Sequence, residues 1–150
     1  MLDLTVTEAS ERDLPQLLRL YADLHPEDPP VDPSAAKTTW AEIRTNTNRV
    51  VLLAWHHEQA VGSLDYSVWA NLTRGARPYV TIENVVVRTD FRRRGIASHM
   101  IEVVRDRAKN LHSYKIQLAV DRAGPRAFYE ACGFRATGTV MKLDWLEDPR

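Results

Sequence analysis

The sequence VVVRTDFRRRGIAS, residues 85–98, joins a run of β-branched residues to a basic turn and then to a helical pattern. Valine favours strands, and from Gly95 onward the apolar residues recur with the period of a helix. The first N–H groups of a helix have no intrahelical partners, and the helix dipole favours an anion beside them. The stretch therefore predicts a strand, a turn and a helix start that together bind a phosphate group.

The arginines of this turn, Arg88 and Arg92–Arg94, admit two other interpretations, a solvated turn and a patch for nucleic acid. Their place between a strand and a helix favours the phosphate, because unpaired N–H groups and the helix dipole converge there. The turn lacks the Gly-Lys-Ser/Thr of a Walker loop and the three glycines of a dinucleotide fingerprint.

Periodicity along the chain predicts one mixed α/β (α+β) sheet with flanking helices. The predicted strands cover 2–8, 49–57, 60–69, 79–87 and 114–120, with two short strands within 134–145. Helices are predicted to begin at Ser10, Ser34, Gly95 and Gly124. The helix between strands 79–87 and 114–120 forms a crossover, so these strands should be parallel neighbours, whereas the earlier hairpins should be antiparallel.

Composition bounds the class of protein. The chain has 150 residues, 44% of them hydrophobic, which fits a single domain over 1–150 and excludes a disordered chain. Its 20 basic residues balance 20 acidic ones, so bulk charge predicts no nucleic acid and no membrane as partner. No secretory signal or membrane-spanning run is present, which favours a cytoplasmic protein. Cys132 is the only cysteine, so we expect no internal disulfide and no cysteine-based zinc site. The adjacent His56 and His57 have no further ligands at useful spacing, so we expect no metal.

Two motifs carry a resemblance to a known family. Arg92-x-x-Gly95-x-Ala97, after a strand ending Val85–Val87, resembles the acyl-CoA motif Gln/Arg-x-x-Gly-x-Gly/Ala of the Gcn5-related N-acetyltransferase (GNAT) superfamily. Downstream, AFYEACGF at 127–134 resembles its Phe-Tyr-x-x-x-Gly-Phe block. The resemblance covers essentially the whole chain. It implies a mostly antiparallel central sheet with one splayed parallel strand pair and flanking helices.

The resemblance implies acetyl-CoA as co-substrate. Its pantetheine arm would lie in the gap between strands 79–87 and 114–120, and backbone N–H groups would hold its pyrophosphate. The implied binding residues are Val85, Val86, Val87, Arg92, Arg93, Arg94, Gly95, Ile96, Ala97 and Ser98. Arg122 stands where many members have asparagine, and we hypothesise that it contacts a phosphate instead. Pro125 likewise replaces a usual alanine.

Two residues are candidate catalytic groups. Glu83 interrupts an apolar strand, where a carboxylate is costly unless it is solvated or paired. By resemblance it would take the proton of the attacking amine through water; a substrate-binding carboxylate or a structural ion pair are the alternatives. Tyr129 corresponds to the family's proton donor to the departing thiolate, and the alternative is an aromatic core residue. Cys132 is interpreted as a core residue rather than a nucleophile.

The resemblance implies an N-acetyltransferase that moves an acetyl group to a primary amine by direct attack. In this superfamily the acceptor meets the segments that here are Leu24–Ser34 and Trp69–Tyr79. The first is acidic and would suit a cationic amine, and the second, with Trp69, Arg74, Arg77 and Tyr79, would suit a carboxylate or phosphate on the same molecule. A small amphoteric amine, such as an amino acid or an amino-sugar derivative, fits this pattern, but two merely solvated loops fit it too. Other readings are a non-catalytic acyl-CoA-binding or regulatory domain and a protein N-acetyltransferase. A C-terminal edge strand would allow a homodimer.

Overall fold

The computed structural model describes residues 2–120 and 123–145. The chain divides into two compact units, Met1–Leu118 and Ala119–Arg150. The prediction of one domain over 1–150 stays a prediction.

The first unit is built on a five-stranded sheet in the order β1-β2-β3-β4-β5. The strands are β1 Thr5–Glu8, β2 Arg49–His56, β3 Gln59–Trp69, β4 Tyr79–Val87 and β5 Ile116–Gln117. The first four pair antiparallel and β4 pairs with β5 in parallel. This confirms the predicted fold class, a mixed sheet with one parallel pair, because the crossover helix returns the chain in the same direction.

Within the described residues, four helices accompany the sheet of the first unit and a fifth belongs to the second unit. They are α1 Leu14–Leu24, α2 Pro33–Thr45, α3 Thr73–Ala76, α4 Ile96–Asn110 and α5 Ala123–Ala131. A turn at Glu11–Asp13 leads into α1, and Ser10 donates its N–H and its hydroxyl to the Asp13 carboxylate at 2.9 and 3.0 Å. None of the helices in the described ranges is long and apolar enough to cross a membrane.

The two faces of the sheet bury different helices. Leu14, Leu17 and Leu20 of α1 join Trp40 of α2 in a core cluster with Val51, Leu53 and Val86 of the sheet. The opposite face receives α4 at Gly62 of β3. A Cβ there would lie 2.9 Å from Cγ2 of Ile96, 3.1 Å from Cε of Met100 and 3.3 Å from the carbonyl oxygen of Val86. The missing side chain lets α4 pack closely onto the sheet.

Two predictions from the sequence were wrong in extent or kind. β5 covers only Ile116–Gln117 rather than 114–120: Tyr114 and Lys115 bond to the backbone of Pro78 and Val80, and the regular pairing with β4 ends at Thr81. The described residues of 134–145 form no strand. Their large apolar side chains are exposed, so no packed face selects a strand register there: Val140, Met141, Leu143 and Trp145. The homodimer, which relied on this tail, stays a prediction.

Candidate active site

A β-bulge interrupts β4 at its centre. Asp65 of β3 lies opposite Glu83 and Ser63 lies opposite Val86, so Asn84 and Val85 together face a single residue. Asn84 has a φ of 53°, in the left-handed region that asparagine tolerates better than most residues. Bulges of this kind bend a strand and redirect its side chains beside active sites.

Past the bulge, β4 has an open edge. Its pairing with β5 is confined to Val80 and Thr81, and no described strand continues it. The N–H of Arg88 donates to the Val61 carbonyl of β3 at 2.8 Å, so by alternation the backbone of Val87 faces the open edge, as does that of Val85. Val86 instead places its side chain in the core, 4% exposed. Among the described strands none pairs with this edge of β4, where the one backbone acceptor in use is the Val87 carbonyl, bonded to the Arg92 side chain.

The helix start after this edge is free of side-chain caps. Gly95 is the N-cap of α4 with a φ of 81°, and the first intrahelical bond runs from the His99 N–H to its carbonyl at 3.0 Å. The N–H groups of Ile96, Ala97 and Ser98 precede that bond and project from the helix end. A Cβ on Gly95 would meet no atom within 4 Å, so the space beside these donors is open. The arrangement fits an anion, as predicted for a pyrophosphate.

The arginines of the turn have different tasks. Arg88 donates two hydrogen bonds of 2.8 Å to Asp90, and these lower the pKa of that carboxyl below its usual value. Arg92 donates its Nε–H to the Val87 carbonyl at 3.2 Å and so ties the turn to the strand. No carboxylate of the described residues lies within ion-pair distance of Arg93 or Arg94. Arg88 is thus neutralised by Asp90, whereas Arg93 and Arg94 are not paired with a described carboxylate.

Glu83 and Asp65 occupy opposite environments on one face of the β3/β4 pair. Glu83 is exposed, and its carboxylate makes no hydrogen bond or ion pair within the described residues. Asp65 is 2% exposed, and its Oδ2 accepts from Nη2 and Nε of Arg49 at 2.6 and 3.0 Å. Its Oδ1 is buried without a hydrogen-bond partner in the described part of the chain. Burial outweighs Arg49 and raises the pKa of Asp65.

The buried acid also affects its neighbour on α1. Burial first, and the charge of Asp65 second, raise the pKa of Tyr21 to about 12. Reasoning from the sequence missed Asp65, although it is the one charged residue between Gln59 and Trp69. That isolated charge in a buried strand was the available signal.

Tyr129 lies in the second unit, on α5. Its ring packs against Phe128 and Phe134 with centroids 5.1 and 5.9 Å apart, and the Phe134 N–H donates to its carbonyl at 3.0 Å. Gly133, with a φ of 98°, follows the helix and allows this return of the chain. Burial raises the pKa of Tyr129, with a smaller contribution from Cys132. Arg122, predicted as a phosphate contact, lies outside the described residues.

The two loops predicted to meet an acceptor are both on the surface. Residues 25–32 are exposed throughout. Asp32 accepts the Ala35 N–H at 3.1 Å as the N-cap of α2, so this acid is used structurally. In the second loop Arg77 donates to the carbonyls of His112 and Ser113 at 2.9 and 3.1 Å. Glu27, Asp28 and Arg74 remain as charges that an acceptor could meet.

Comparison with known proteins gives consistent matches. Residues 14–134 match the model of the acetyltransferase (GNAT) family. A glucosamine 6-phosphate N-acetyltransferase of Trypanosoma brucei brucei is 30% identical over 147 residues, 96% of this chain and 97% of the relative. An aminoglycoside N(6')-acetyltransferase type 1 of Acinetobacter genomosp. 13 is 30% identical over 100 residues, 63% of this chain and 68% of the relative. A solved Trypanosoma brucei acetyltransferase superposes with a TM-score of 0.85 at 29% identity, covering 95% of this chain and 99% of that one.

Proposed function

The chain belongs to the acetyltransferase (GNAT) family and is an N-acetyltransferase, and we propose that it transfers an acetyl group from acetyl-CoA to the primary amine of a small molecule, an amino sugar. The proposal that acetyl-CoA is the donor rests on one observation: the start of α4, which has no side-chain cap, lies beside the open edge of β4. The two features lie in sequence order along one strand–turn–helix segment, as an extended ligand with a phosphate end requires.

The donor fits the residues that are present. Backbone groups of Val85, and the N–H of Val87, border the open edge and can pair with an amide-bearing pantetheine arm as a strand would, whereas the Val87 carbonyl already accepts the Arg92 Nε–H. The N–H groups of Ile96, Ala97 and Ser98 supply donors for a pyrophosphate. Acetyl-CoA, when bound, supplies an activated thioester, so the chain needs no covalent intermediate of its own.

The amine side of the reaction needs a proton acceptor. A free alkylamine has a pKa near about 10.4, so it arrives mostly protonated at neutral pH. The Glu83 carboxylate is exposed and free to accept that proton through water while nitrogen bonds to the acetyl carbon and the carbon–sulfur bond breaks. Asp65, buried opposite it and held by Arg49, is not accessible for this task.

The thiolate side is assigned to Tyr129. Even an unperturbed tyrosine, with a pKa of about 10, is a weaker acid than a thiol at about 8.5, so complete proton transfer is uphill by roughly 2 kcal/mol. The raised pKa of Tyr129 makes the transfer less favourable still. We therefore assign Tyr129 the role of hydrogen-bonding the departing thiolate rather than protonating it fully.

The proposal of an amino-sugar acceptor is supported by the names of the relatives, and the two loops predicted to meet the acceptor are compatible with it. Both curated relatives are named for amine-bearing carbohydrates, a phosphorylated hexosamine and aminoglycosides. A peptide acceptor is the competing candidate. The exposed Glu27 and Asp28 are suited to any cationic amine and do not separate the two.

A thiol-release assay tests the proposal. Wild-type protein is incubated with acetyl-CoA and a panel of hexosamines, hexosamine phosphates, aminoglycosides, amino acids and peptides, and we expect release with amino sugars. Glu83→Gln should lower kcat by roughly 100-fold, within the usual range for a positioned acid–base group, with acetyl-CoA binding unchanged. Glu102→Gln, an exposed glutamate on α4, is the matched control. Tight CoA binding without turnover on any amine would instead favour a non-catalytic binding domain, and release only with peptides a protein N-acetyltransferase.

A further inference from the structure

Three aromatic rings line one end of the sheet. They lie at the opposite end of β4 from the phosphate cradle, the name we give to the N–H groups of Ile96, Ala97 and Ser98 at the start of α4. Trp69 and Tyr79 stack with centroids 6.5 Å apart and an interplanar angle of 21°, and Tyr114 meets Tyr79 edge-on at 6.1 Å. Trp69 is 47% exposed although it is large and apolar. We call Trp69, Tyr79 and Tyr114 the aromatic platform.

Two cations stand over this platform. The Lys115 Nζ lies 5.1 Å from the Tyr79 centroid and 5.4 Å from that of Tyr114, and the Arg74 guanidinium lies 5.8 Å from Tyr114. Within the described ranges, neither cation has a carboxylate within ion-pair distance. Arg77 differs, because its guanidinium is bonded to two carbonyls at the end of α4. The platform thus carries two positive charges whose N–H groups are open to a ligand.

The platform lies on the same face of the β3/β4 pair as Glu83. Trp69 pairs with Tyr79, Ser67 with Thr81, and Asp65 with Glu83, and every second pair points to one side. Trp69 also donates its Nε1–H to the Thr81 hydroxyl at 2.9 Å. Four residues separate Tyr79 from Glu83, about 13 Å of extended chain. A polar, partly open strip therefore joins the proposed base to the cationic platform.

We propose that the aromatic platform with Arg74 and Lys115 binds a phosphate group of the acceptor while its amine lies at Glu83. The proposal rests on the proposed function and deepens it by naming the substrate class as phosphorylated amino sugars. Aromatic faces pack against the apolar faces of sugar rings, and arginine and lysine bind phosphate through charge-assisted hydrogen bonds. Polycationic acceptors are disfavoured, because they would place like charges beside Arg74 and Lys115.

The test compares matched acceptors that differ by a phosphate. Steady-state kinetics are measured with glucosamine, glucosamine 6-phosphate and a nucleoside-diphosphate-linked amino sugar, which place phosphate at short and long distances from the amine. Arg74→Ala and Lys115→Ala should each raise KM for at least one phosphorylated acceptor by roughly tenfold, as loss of a charged hydrogen bond does. KM for glucosamine and for acetyl-CoA should change less than about twofold. Lys115→Arg should retain tight binding, and Arg12→Ala, an exposed cation near α1, is the control.

The outcomes separate this inference from the proposed function. Turnover with equal KM for glucosamine and its phosphorylated forms, or equal effects of both variants on all acceptors, would overturn the phosphate site and leave the acetyltransferase assignment intact. Calorimetric titration with the phosphorylated sugars tests the opposite case, in which the phosphate site exists but the protein does not transfer an acetyl group. Binding that both variants weaken, without thiol release, would support the phosphate site and contradict the proposed function. Neither turnover nor binding would overturn both.

Discussion

Asp65 and Glu83 face each other across β3 and β4, yet one carboxylate is buried against Arg49 and the other is free in solvent. The pairing puts two acids on one face of the sheet at the bulge, and it separates their roles by environment. Asp65 is fixed by an ion pair, whereas Glu83 has no partner to give up within the described residues. The bulge residue Asn84, with its left-handed φ of 53°, follows Glu83 directly in the chain.

Arg49→Ala should destabilise the fold in a pH-dependent manner. Removing one partner of a buried ion pair leaves an uncompensated charge and costs about 3 kcal/mol, at the lower end of the usual range because Arg49 is partly exposed. Urea unfolding at pH 7 and near pH 4 measures the loss.

The sign of the effect follows from Asp65. The pKa of Asp65 is higher in the folded protein than the unfolded value of 3.8. The protonated form of Asp65 therefore favours folding below that value, and this stabilisation is lost as pH rises through the folded-state pKa. Without Arg49 the penalty for the charged form grows, and the destabilisation should be larger at pH 7 than near pH 4. An equal loss at both pH values would contradict a charged Asp65.

Gly95→Ala should weaken donor binding and modestly destabilise α4. The φ of 81° is costly for any residue with a Cβ, about 1–2 kcal/mol, and the methyl group would stand in the open space beside the helix donors. Calorimetry with CoA should show at least a tenfold loss of affinity. Gly138→Ala also places a methyl group in open space, without a left-handed φ, and serves as the control. Unchanged CoA affinity in Gly95→Ala would remove the cradle assignment.

Gly62→Ala should damage the same binding site from a distance. Its Cβ would press on Ile96, the first residue of α4, and on the Val86 carbonyl, so helix and sheet must separate. Overpacking of this kind typically costs about 1–3 kcal/mol. We expect a lower urea midpoint and weaker CoA binding together. Loss of stability with full CoA affinity would show that the helix start does not move with the helix.

Tyr129→Phe should lower kcat by roughly 10- to 100-fold, the effect of losing one hydrogen bond to a developing charge. Because burial raises the pKa of Tyr129, its hydroxyl stays protonated well above neutral pH, and the wild-type rate should not fall through its ionisation between pH 7 and pH 9. Pre-steady-state rates across that range test both points. Tyr66→Phe, in the buried part of β3, is the control, and full activity of Tyr129→Phe would exclude the role.

Local signals were enough to predict the proposed donor site. The β-branched run gave the bounds of β4, and Gly95 marked the start of α4, because strand propensity and helix start are properties of neighbouring residues. The loop Trp69–Tyr79 was predicted to meet a carboxylate or phosphate of the acceptor, but Asp65, Tyr114 and Lys115 were missed. The register between β3 and β4 places Asp65 opposite Glu83, and packing brings Tyr114 and Lys115 to Tyr79, so no local pattern links these residues.

The prediction of two strands within 134–145 was wrong for a related reason. Alternation around Gly138 resembled two strands, but a strand exists only where another strand accepts its hydrogen bonds and a packed face fixes its register. The short β5 obeys the same rule, since its length equals the stretch of β4 that meets it.

A strand edge with unpaired N–H and C=O groups is a template on which another chain can add and start an aggregate. No strand in the described part of the chain pairs with this edge of β4 beyond Thr81, and Ile82–Val87 carries one charge, Glu83, and no proline to discourage such addition. A bound pantetheine arm would cover these groups as a surrogate strand. The donor substrate is therefore expected to keep the protein soluble as well as to supply the acetyl group, and the ligand-free enzyme should be the form that precipitates first.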